Sequence, residues 1–260
     1  SKEMSKFILL LSLGVAALAS KNFFIWPAPS GKTPLKLRQV LFGGALLVFS
    51  SLVALSVSSQ TAELLSTMTG ISLAFAFLFY LLFLPKDITR AILFSGERPV
   101  KTSWRALGSA IRMWIIIIPV TQLIGIMMSK FLTLVLPTQE IHTQEVTQEV
   151  QNSLPITGHY ISMILNLGVL TPFGEEVFFR GILQTFLKNK MTRIAAVLCS
   201  SIIFSFIHIE HSLGSWVFVP VLFVFSLSAG FLYEKDRHIL SPIALHGLFN
   251  LTSLLFLGIK

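Results

Sequence analysis

Long apolar runs recur along almost the whole chain, and most of them approach the ~20 residues that an α-helix needs to cross the hydrocarbon core of a bilayer. A segment in lipid must satisfy its own backbone hydrogen bonds, so runs of this kind form helices. Of the 260 residues, 53% are hydrophobic and only 12% are charged, which is too few charges to cover a water-soluble domain. The sequence therefore predicts an all-α fold, a polytopic transmembrane helical bundle.

These runs predict about eight helices. Lysines precede the first run and small residues follow it, as in a signal peptide, but the aromatic residues at 23–26 extend it towards a full span, and we favour a membrane helix. The fifth run is expected to be broken, because Pro172 lies within it. The predicted spans are 7–26, 39–58, 66–84, 110–135, 156–187, 192–209, 215–233 and 239–259.

The basic residues indicate how the helices are oriented. The net charge is +8, but Lys and Arg lie in short clusters between apolar runs and not on a surface of the kind that binds nucleic acid, so we expect no nucleic-acid partner. Positively charged loops stay on the cytoplasmic side of a membrane. The clusters fall on alternate loops, at 21–38, 86–105, 188–193 and 235–237. We predict that these four loops face the cytoplasm and that both chain ends lie outside.

Two polar segments receive no catalytic role. Apolar and basic residues are mixed over 86–105, which predicts a helix lying at the cytoplasmic interface. The repetitive Gln/Glu tract at 138–149 offers too little apolar surface to fold alone and is predicted to be a solvated external loop.

The fifth apolar run carries three charges at membrane depth. Glu175, Glu176 and Arg180 follow Pro172 within it, and charges at this depth are costly enough to favour the bundle interior and a functional role. Glu176 and Arg180 are four residues apart, so they lie on one helical face and can pair. Glu175 lies about 100° around the axis. We therefore expect one carboxylate to be held ionised by the arginine and the other to be free to act as a base.

The later spans add imidazole and amide groups. His208 follows Phe204 by four residues at the end of the sixth span, and His246 and Asn250 share one face of the eighth. A carboxylate and an imidazole can together deprotonate a water molecule, and a second imidazole with an amide can stabilise an oxyanion. This combination of groups indicates a peptidase.

Other interpretations remain open. A buried ion pair that only orients two helices would also explain Glu176 and Arg180. A divalent metal would use the same Glu and His residues, but the sequence has no His-Glu-x-x-His signature and only one cysteine, Cys199. No cofactor is therefore assigned. Intramembrane Glu, His and Arg also form proton relays, so a proton-coupled transporter is the second hypothesis, and a non-catalytic immunity or scaffold protein is the third.

Three motifs in fixed order resemble the CPBP family, which includes CAAX prenyl endopeptidases and bacteriocin-processing or self-immunity proteins. They are Glu-Glu-x-x-x-Arg at 175–180, Phe-x-x-x-His at 204–208 and His-x-x-x-Asn at 246–250. The resemblance covers about residues 156–260, so we expect N-terminal membrane helices over 1–155 and a catalytic core over 156–260. The family is known both as metal-dependent and as metal-independent glutamate peptidases.

The resemblance implies a role for each motif residue. Glu175 would be the general base and His208 would help to hold and activate the water. Glu176 and Arg180 would position these groups, and His246 and Asn250 would form the oxyanion site. The implied protein is an intramembrane endopeptidase, expected in a bacterial cytoplasmic membrane, with membrane lipid and a membrane-associated or lipid-tethered peptide or protein as its partners.

Overall fold

The computed structural model describes residues 2–57, 62–95, 102–135, 157–209 and 216–258, and the Gln/Glu tract predicted as an external loop lies outside them. Within the described residues the chain is helical and forms no strand. The nine helices of this part of the chain are α1 (Lys2–Ser20), α2 (Leu37–Val57), α3 (Ala62–Phe83), α4 (Lys86–Leu93), α5 (Ser103–Val135), α6 (157–188), α7 (Arg193–Ile207), α8 (Phe218–Asp236) and α9 (Leu240–Gly258).

Several of these helices are long enough to span a membrane. Among the described residues, four segments are long and apolar enough to cross a bilayer: Leu37–Ser56, Ser103–Val135, Ile161–Lys188 and Phe218–Asp236. Three shorter apolar helices accompany them. The structure confirms the all-α fold of a membrane-embedded helical bundle, while the number of crossings and the division at residue 155 stay predictions.

The first helix begins and ends earlier in the chain than the sequence predicted. It ends at Ser20, and the residues that follow form a turn and then a non-helical linker, residues 21–36. Asn22 has a left-handed φ of 57°, which ends the helix. Pro27 and Pro29 then keep the linker extended. The aromatic residues expected to lengthen α1 therefore lie in this linker, where the Phe23 ring packs against Phe231 of α8.

Two further boundaries differ from prediction. The segment expected to lie at the interface as one helix over 86–105 divides, because α4 ends at Leu93 and α5 already begins at Ser103. Trp104 and Arg105 therefore belong to α5, and only the short α4 corresponds to the predicted interfacial helix.

The predicted break at Pro172 does not occur, because α6 continues through it. Its stretches are α-helical Thr157–Leu165, π-helical Asn166–Leu170, α-helical Thr171–Glu176, π-helical Val177–Gln184 and α-helical Thr185–Lys188. The amide of Thr171 donates to the carbonyl of Asn166, five residues back. This π register moves the preceding carbonyls out of the i−4 position in which they would clash with the proline ring.

Small residues allow the neighbouring helices to approach α6 closely. A Cβ added to Gly70 of α3 would overlap the side-chain amide oxygen of Asn166, and one added to Gly247 of α9 would overlap the carbonyl oxygen of Gly168. Small residues at helix crossings are typical of membrane proteins, because backbones must touch to gain packing energy in lipid. The first π stretch of α6 is therefore held between α3 and α9.

The four loops predicted to face the cytoplasm meet at one end of the bundle, which we call the basic end. Lys188 Nζ donates to Ser95 Oγ at 2.6 Å and to Glu234 Oε2 at 3.0 Å. It also lies 3.2 Å from Ser30 Oγ in the linker. The Ile239 amide donates to the carbonyl of Leu93 at 2.9 Å. This grouping supports the predicted orientation of the loops.

Candidate active site

Three helices bring one carboxylate and two imidazoles together. Glu175 lies in α6, His208 immediately follows α7, and His246 lies in α9. Glu175 Oε2 is 3.7 Å from His208 Nε2 and 3.8 Å from His246 Nε2. Among the described residues this buried oxygen has no hydrogen-bond partner. The three side chains therefore face a common point from different helices.

A second set of contacts surrounds the neighbouring carboxylate. Glu176 Oε2 is 2.8 Å from Arg180 Nε, which confirms the i,i+4 ion pair expected from the sequence. Its other oxygen, Oε1, is 2.9 Å from His246 Nδ1. His246 thus turns one ring nitrogen to each glutamate. The two adjacent carboxylates are joined through this imidazole and have otherwise separate partners.

Burial separates the two sets. The side chains of Glu176 and Arg180 are both 0% exposed, whereas 16% of the Glu175 side chain and 31% of the His208 side chain are exposed. His246 lies between these extremes, at 6%. A reactant can therefore approach Glu175 and His208, while the Glu176–Arg180 pair is sealed behind them.

The backbone of α7 fixes the orientation of His208. Its Nδ1 lies 2.7 Å from the carbonyl oxygen of Phe204, one helical turn earlier. A carbonyl can only accept, so Nδ1 carries a proton and, in the neutral ring, Nε2 is left as an acceptor facing Glu175. The four-residue spacing of Phe204 and His208 therefore places the imidazole within hydrogen-bond distance of the Phe204 carbonyl.

Aromatic rings enclose the two imidazoles. The Phe204 ring centroid is 4.4 Å from that of His208, and the Arg180 guanidinium lies 5.2 Å from the Phe204 centroid. The Phe225 ring of α8 lies 4.8 Å from His246 and stacks on Phe249 at 4.7 Å. The sequence does not indicate Phe225 as a site residue, because a single phenylalanine in an apolar helix carries no distinguishing signal.

Asn250, expected from the sequence to form part of the oxyanion site, also makes a structural hydrogen bond to α6. Its Nδ2 donates to the carbonyl oxygen of Leu167 at 2.9 Å. That carbonyl has lost both helical donors, because the Thr171 amide bonds to Asn166 and Pro172 has no N–H. Asn250 therefore satisfies a backbone group that the π stretch leaves open. Its second amide hydrogen is not used by this contact.

The same donors include the types of ligand that bind metal ions. A carboxylate and two imidazoles have the right chemistry for zinc, which binds such ligands at about 2.0–2.2 Å. Yet within the described part of the chain no group of three or more His, Cys, Asp and Glu side chains is arranged to hold a metal. The contact between His246 Nδ1 and Glu176 leaves Nε2 as the ring nitrogen that faces Glu175.

Comparison with known proteins agrees with the motif pattern. Residues 157–252 match a family model described as type II CAAX prenyl endopeptidase Rce1-like. No curated protein and no solved structure matches the chain. The matched segment contains all six predicted site residues and begins with α6. The match confirms the resemblance drawn from the three motifs: over residues 157–252 this membrane protein carries a domain of the CPBP, or CAAX protease, family.

Proposed function

We propose that the chain is an intramembrane endopeptidase that hydrolyses a peptide bond in a membrane-associated or lipid-tethered substrate, with Glu175 as the general base. The observation that carries the proposal is the buried Oε2 of Glu175, which lies between two imidazole Nε2 atoms at 3.7 and 3.8 Å without a hydrogen-bond partner among the described residues. An ionised oxygen in such a place needs a polar reactant to complete its hydrogen bonds.

Water activation follows from two acceptors that belong to the partly exposed side chains of Glu175 and His208. Glu175 Oε2 and the unprotonated Nε2 of His208 can each accept one hydrogen of the same water molecule, whose oxygen then faces the substrate. Glu175 takes one proton as that oxygen attacks the carbonyl carbon. The proton passes to the leaving nitrogen when the C–N bond breaks, which gives an amine and a carboxylic acid that keeps the second hydrogen of the water. Proton transfer from this acid to the amine then leaves a carboxylate and an ammonium group.

The oxyanion is stabilised by His246, which lies between Glu175 and the buried Glu176–Arg180 pair. His246 can donate from Nε2 to the developing oxyanion while it donates from Nδ1 to Glu176, which requires the doubly protonated ring. Two carboxylates, Glu175 and Glu176, are then balanced by Arg180 and His246. Such a balance suits a site at membrane depth, where a net charge is costly. Asn250 contributes its remaining amide hydrogen beside His246.

The test is peptide cleavage in proteoliposomes. Purified protein is incubated with a panel of lipid-tethered peptides that includes a prenylated CAAX peptide, and new termini are identified by mass spectrometry. We expect Glu175→Gln to lower the rate roughly 10²–10⁴-fold, the usual value of a positioned general base. The control Asp87→Asn, an exposed carboxylate on α4, should leave cleavage unchanged. Full activity in a folded Glu175→Gln protein would refute the proposal.

A metal requirement is tested with the same assay. Because the donors do not form a three-ligand group in the described residues, we expect cleavage to survive dialysis against a strong chelator. Loss of cleavage on dialysis and recovery on adding back a divalent metal would replace the water mechanism written above with a metal-assisted one.

The transporter hypothesis loses one of its supports in this structure. It rested partly on a discontinuous helix at Pro172, and α6 is continuous there. A scaffold or immunity role predicts that function survives when Glu175, His208 and His246 are all replaced. The peptidase predicts complete loss in that triple variant.

A further inference from the structure

An apolar groove lies on the outer face of the bundle, away from the catalytic cluster. It has a volume of about 260 Å³ and is bounded by the linker, the first turns of α7 and the last turns of α8. Several of its lining side chains are exposed, including Phe24 at 51%, Ile194 at 59% and Leu198 at 39%. Trp26 and Phe231 form its aromatic end, with their ring centroids 4.7 Å apart.

Positive charge surrounds the aromatic end of this groove. The guanidinium of Arg193 lies 4.5 Å from the centre of the Trp26 ring and donates to the carbonyl of Pro27 at 2.7 Å. The ammonium of Lys235 lies 5.7 Å from the centre of the Phe231 ring. Both cations are partly exposed. The rim therefore combines an aromatic surface with two positive groups.

The two acidic residues that flank Lys235 in sequence do not contribute to the exposed rim. Glu234 is 2% exposed and Asp236 is 0% exposed. Glu234 is held by Lys188 and Gln184, and Asp236 accepts from Ser241 and Ser109. The surface beside the groove therefore presents positive charge, while the negative charge points into the protein.

We propose that this groove binds an anionic phospholipid of the surrounding bilayer, with an acyl chain against the aromatic and aliphatic wall and the phosphate at Arg193. A guanidinium has five N–H donors, and the hydrogen bond from Arg193 to the carbonyl of Pro27 uses one nitrogen, so donors remain for a phosphate. The apolar wall suits an acyl chain, and charge complementarity selects an anionic head group over a zwitterionic one.

The lipid site is separate from the peptidase site. Arg193 begins α7 and His208 follows its end, so the 15-residue helix separates them by about 22 Å at 1.5 Å per residue. The site therefore goes beyond the proposed function, and a binding measurement tests it without any reference to peptide cleavage.

Trp26 lines the groove and can report its occupancy. A variant with Trp104, Trp114 and Trp216 replaced by Phe keeps Trp26 as the single tryptophan. It is placed in two kinds of phosphatidylcholine nanodisc. One contains a small fraction of brominated phosphatidylglycerol, and the other contains the same fraction of brominated phosphatidylcholine. We expect Trp26 fluorescence to be quenched more strongly by the brominated phosphatidylglycerol.

Three further variants separate charge from shape. Arg193→Gln should reduce the preference for phosphatidylglycerol about fivefold, the usual effect of one cation near an anionic membrane surface. Arg193→Lys should keep most of it, and Arg105→Gln, an exposed arginine on α5, should leave it unchanged. Ser228→Phe should reduce quenching by both lipids, because Ser228 lines the groove and its hydroxyl donates to the carbonyl of Val224 within its own helix.

Several results would overturn the proposal. One is equal quenching by the two brominated lipids in the protein that retains Arg193. Another is an equal loss of preference in Arg105→Gln and Arg193→Gln. A third is protection of Trp26 from both lipids that increases with the number of protein copies per disc, because a second copy of the chain would then cover the groove.

Discussion

Glu175 and Glu176 are adjacent in sequence but differ in what their replacement should do. Glu175 is partly exposed and faces two imidazole nitrogens, whereas Glu176 is fully buried against Arg180 and His246. Helical geometry separates neighbouring side chains by about 100°, which directs the two carboxylates to different partners. Stability and activity should therefore be separable at these two positions.

Glu176→Gln should destabilise the protein much more than Glu175→Gln. The first change leaves the guanidinium of Arg180 buried without its counter-charge, which costs about 3–5 kcal/mol. The second change, Glu175→Gln, does not break a fully buried ion pair, because the Glu175 side chain is 16% exposed. Thermal unfolding in detergent, followed by fluorescence, measures the difference. Equal unfolding temperatures for the two variants would show that the Arg180 charge is compensated elsewhere.

Phe225→Leu should lower kcat while leaving KM nearly unchanged. The Phe225 ring supports His246 and does not belong to the proposed reacting groups, so its loss should misplace the imidazole rather than weaken substrate binding. A rate decrease of roughly tenfold to a hundredfold is expected for a small displacement in such a site. Phe223→Leu, two residues away on the same helix, is the control. A matching decrease in the control would indicate a general packing effect.

At this scale the sequence predicted contacts within a helix better than contacts between helices. The Glu176–Arg180 pair follows directly from a spacing of four residues. The hydrogen bond from Asn250 to Leu167 does not, because it depends on a π register that no residue pattern indicates. The roles assigned to the six site residues stay predictions until variants are measured.

Among the elements, α6 differs most clearly from what its sequence predicts. Its apolar character and length were predicted, but Pro172 was interpreted as a break because proline ends or kinks a regular α-helix. The structure keeps the helix continuous by placing π-helical stretches on both sides of residues 171–176. Such stretches are common at functional sites. The site carboxylates lie on the short α-helical turn between them.

Gly247→Ala should reduce activity and stability together. The added methyl group would overlap the carbonyl oxygen of Gly168, so α9 would have to move away from α6 and carry His246 with it. We expect at least a tenfold loss of kcat, in line with the sensitivity of catalysis to small displacements. Gly108→Ala in α5, where an added Cβ meets nothing within 4 Å, should be neutral. The peptide-cleavage assay and thermal unfolding check both variants.

For the whole molecule, the charge pattern predicted which segments lie together, whereas the apolar pattern predicted only the approximate positions of the helices. Hydropathy gave the approximate helices but misplaced the end of α1, because aromatic residues at 23–26 are equally suited to a span and to a linker. The alternating basic loops predicted which segments would lie together. The structure brings all four to the basic end, through contacts such as Asn189 with Thr33 and Lys188 with Ser95.

Labelling should place Lys32 and Lys190 on the same side of the membrane. Both side chains are exposed at the basic end, and the positive-inside rule assigns that end to the cytoplasm. In a Cys199→Ser background, cysteines introduced at either position should react with a membrane-impermeant thiol reagent in inside-out vesicles only. Labelling of one position in right-side-out vesicles would contradict the predicted orientation.

The linker between α1 and α2 makes its closing contacts with residues at the end of α8, which are synthesised much later. Arg237 donates to the carbonyl of Ala28, 209 residues earlier, and Lys235 donates to that of Phe23, 212 residues earlier. At roughly 5–20 residues per second, a ribosome needs roughly 10–40 s to add the chain between them. The helices that flank the linker therefore enter the membrane well before these partners exist, and biogenesis must keep the linker from misassembling until α8 has been synthesised.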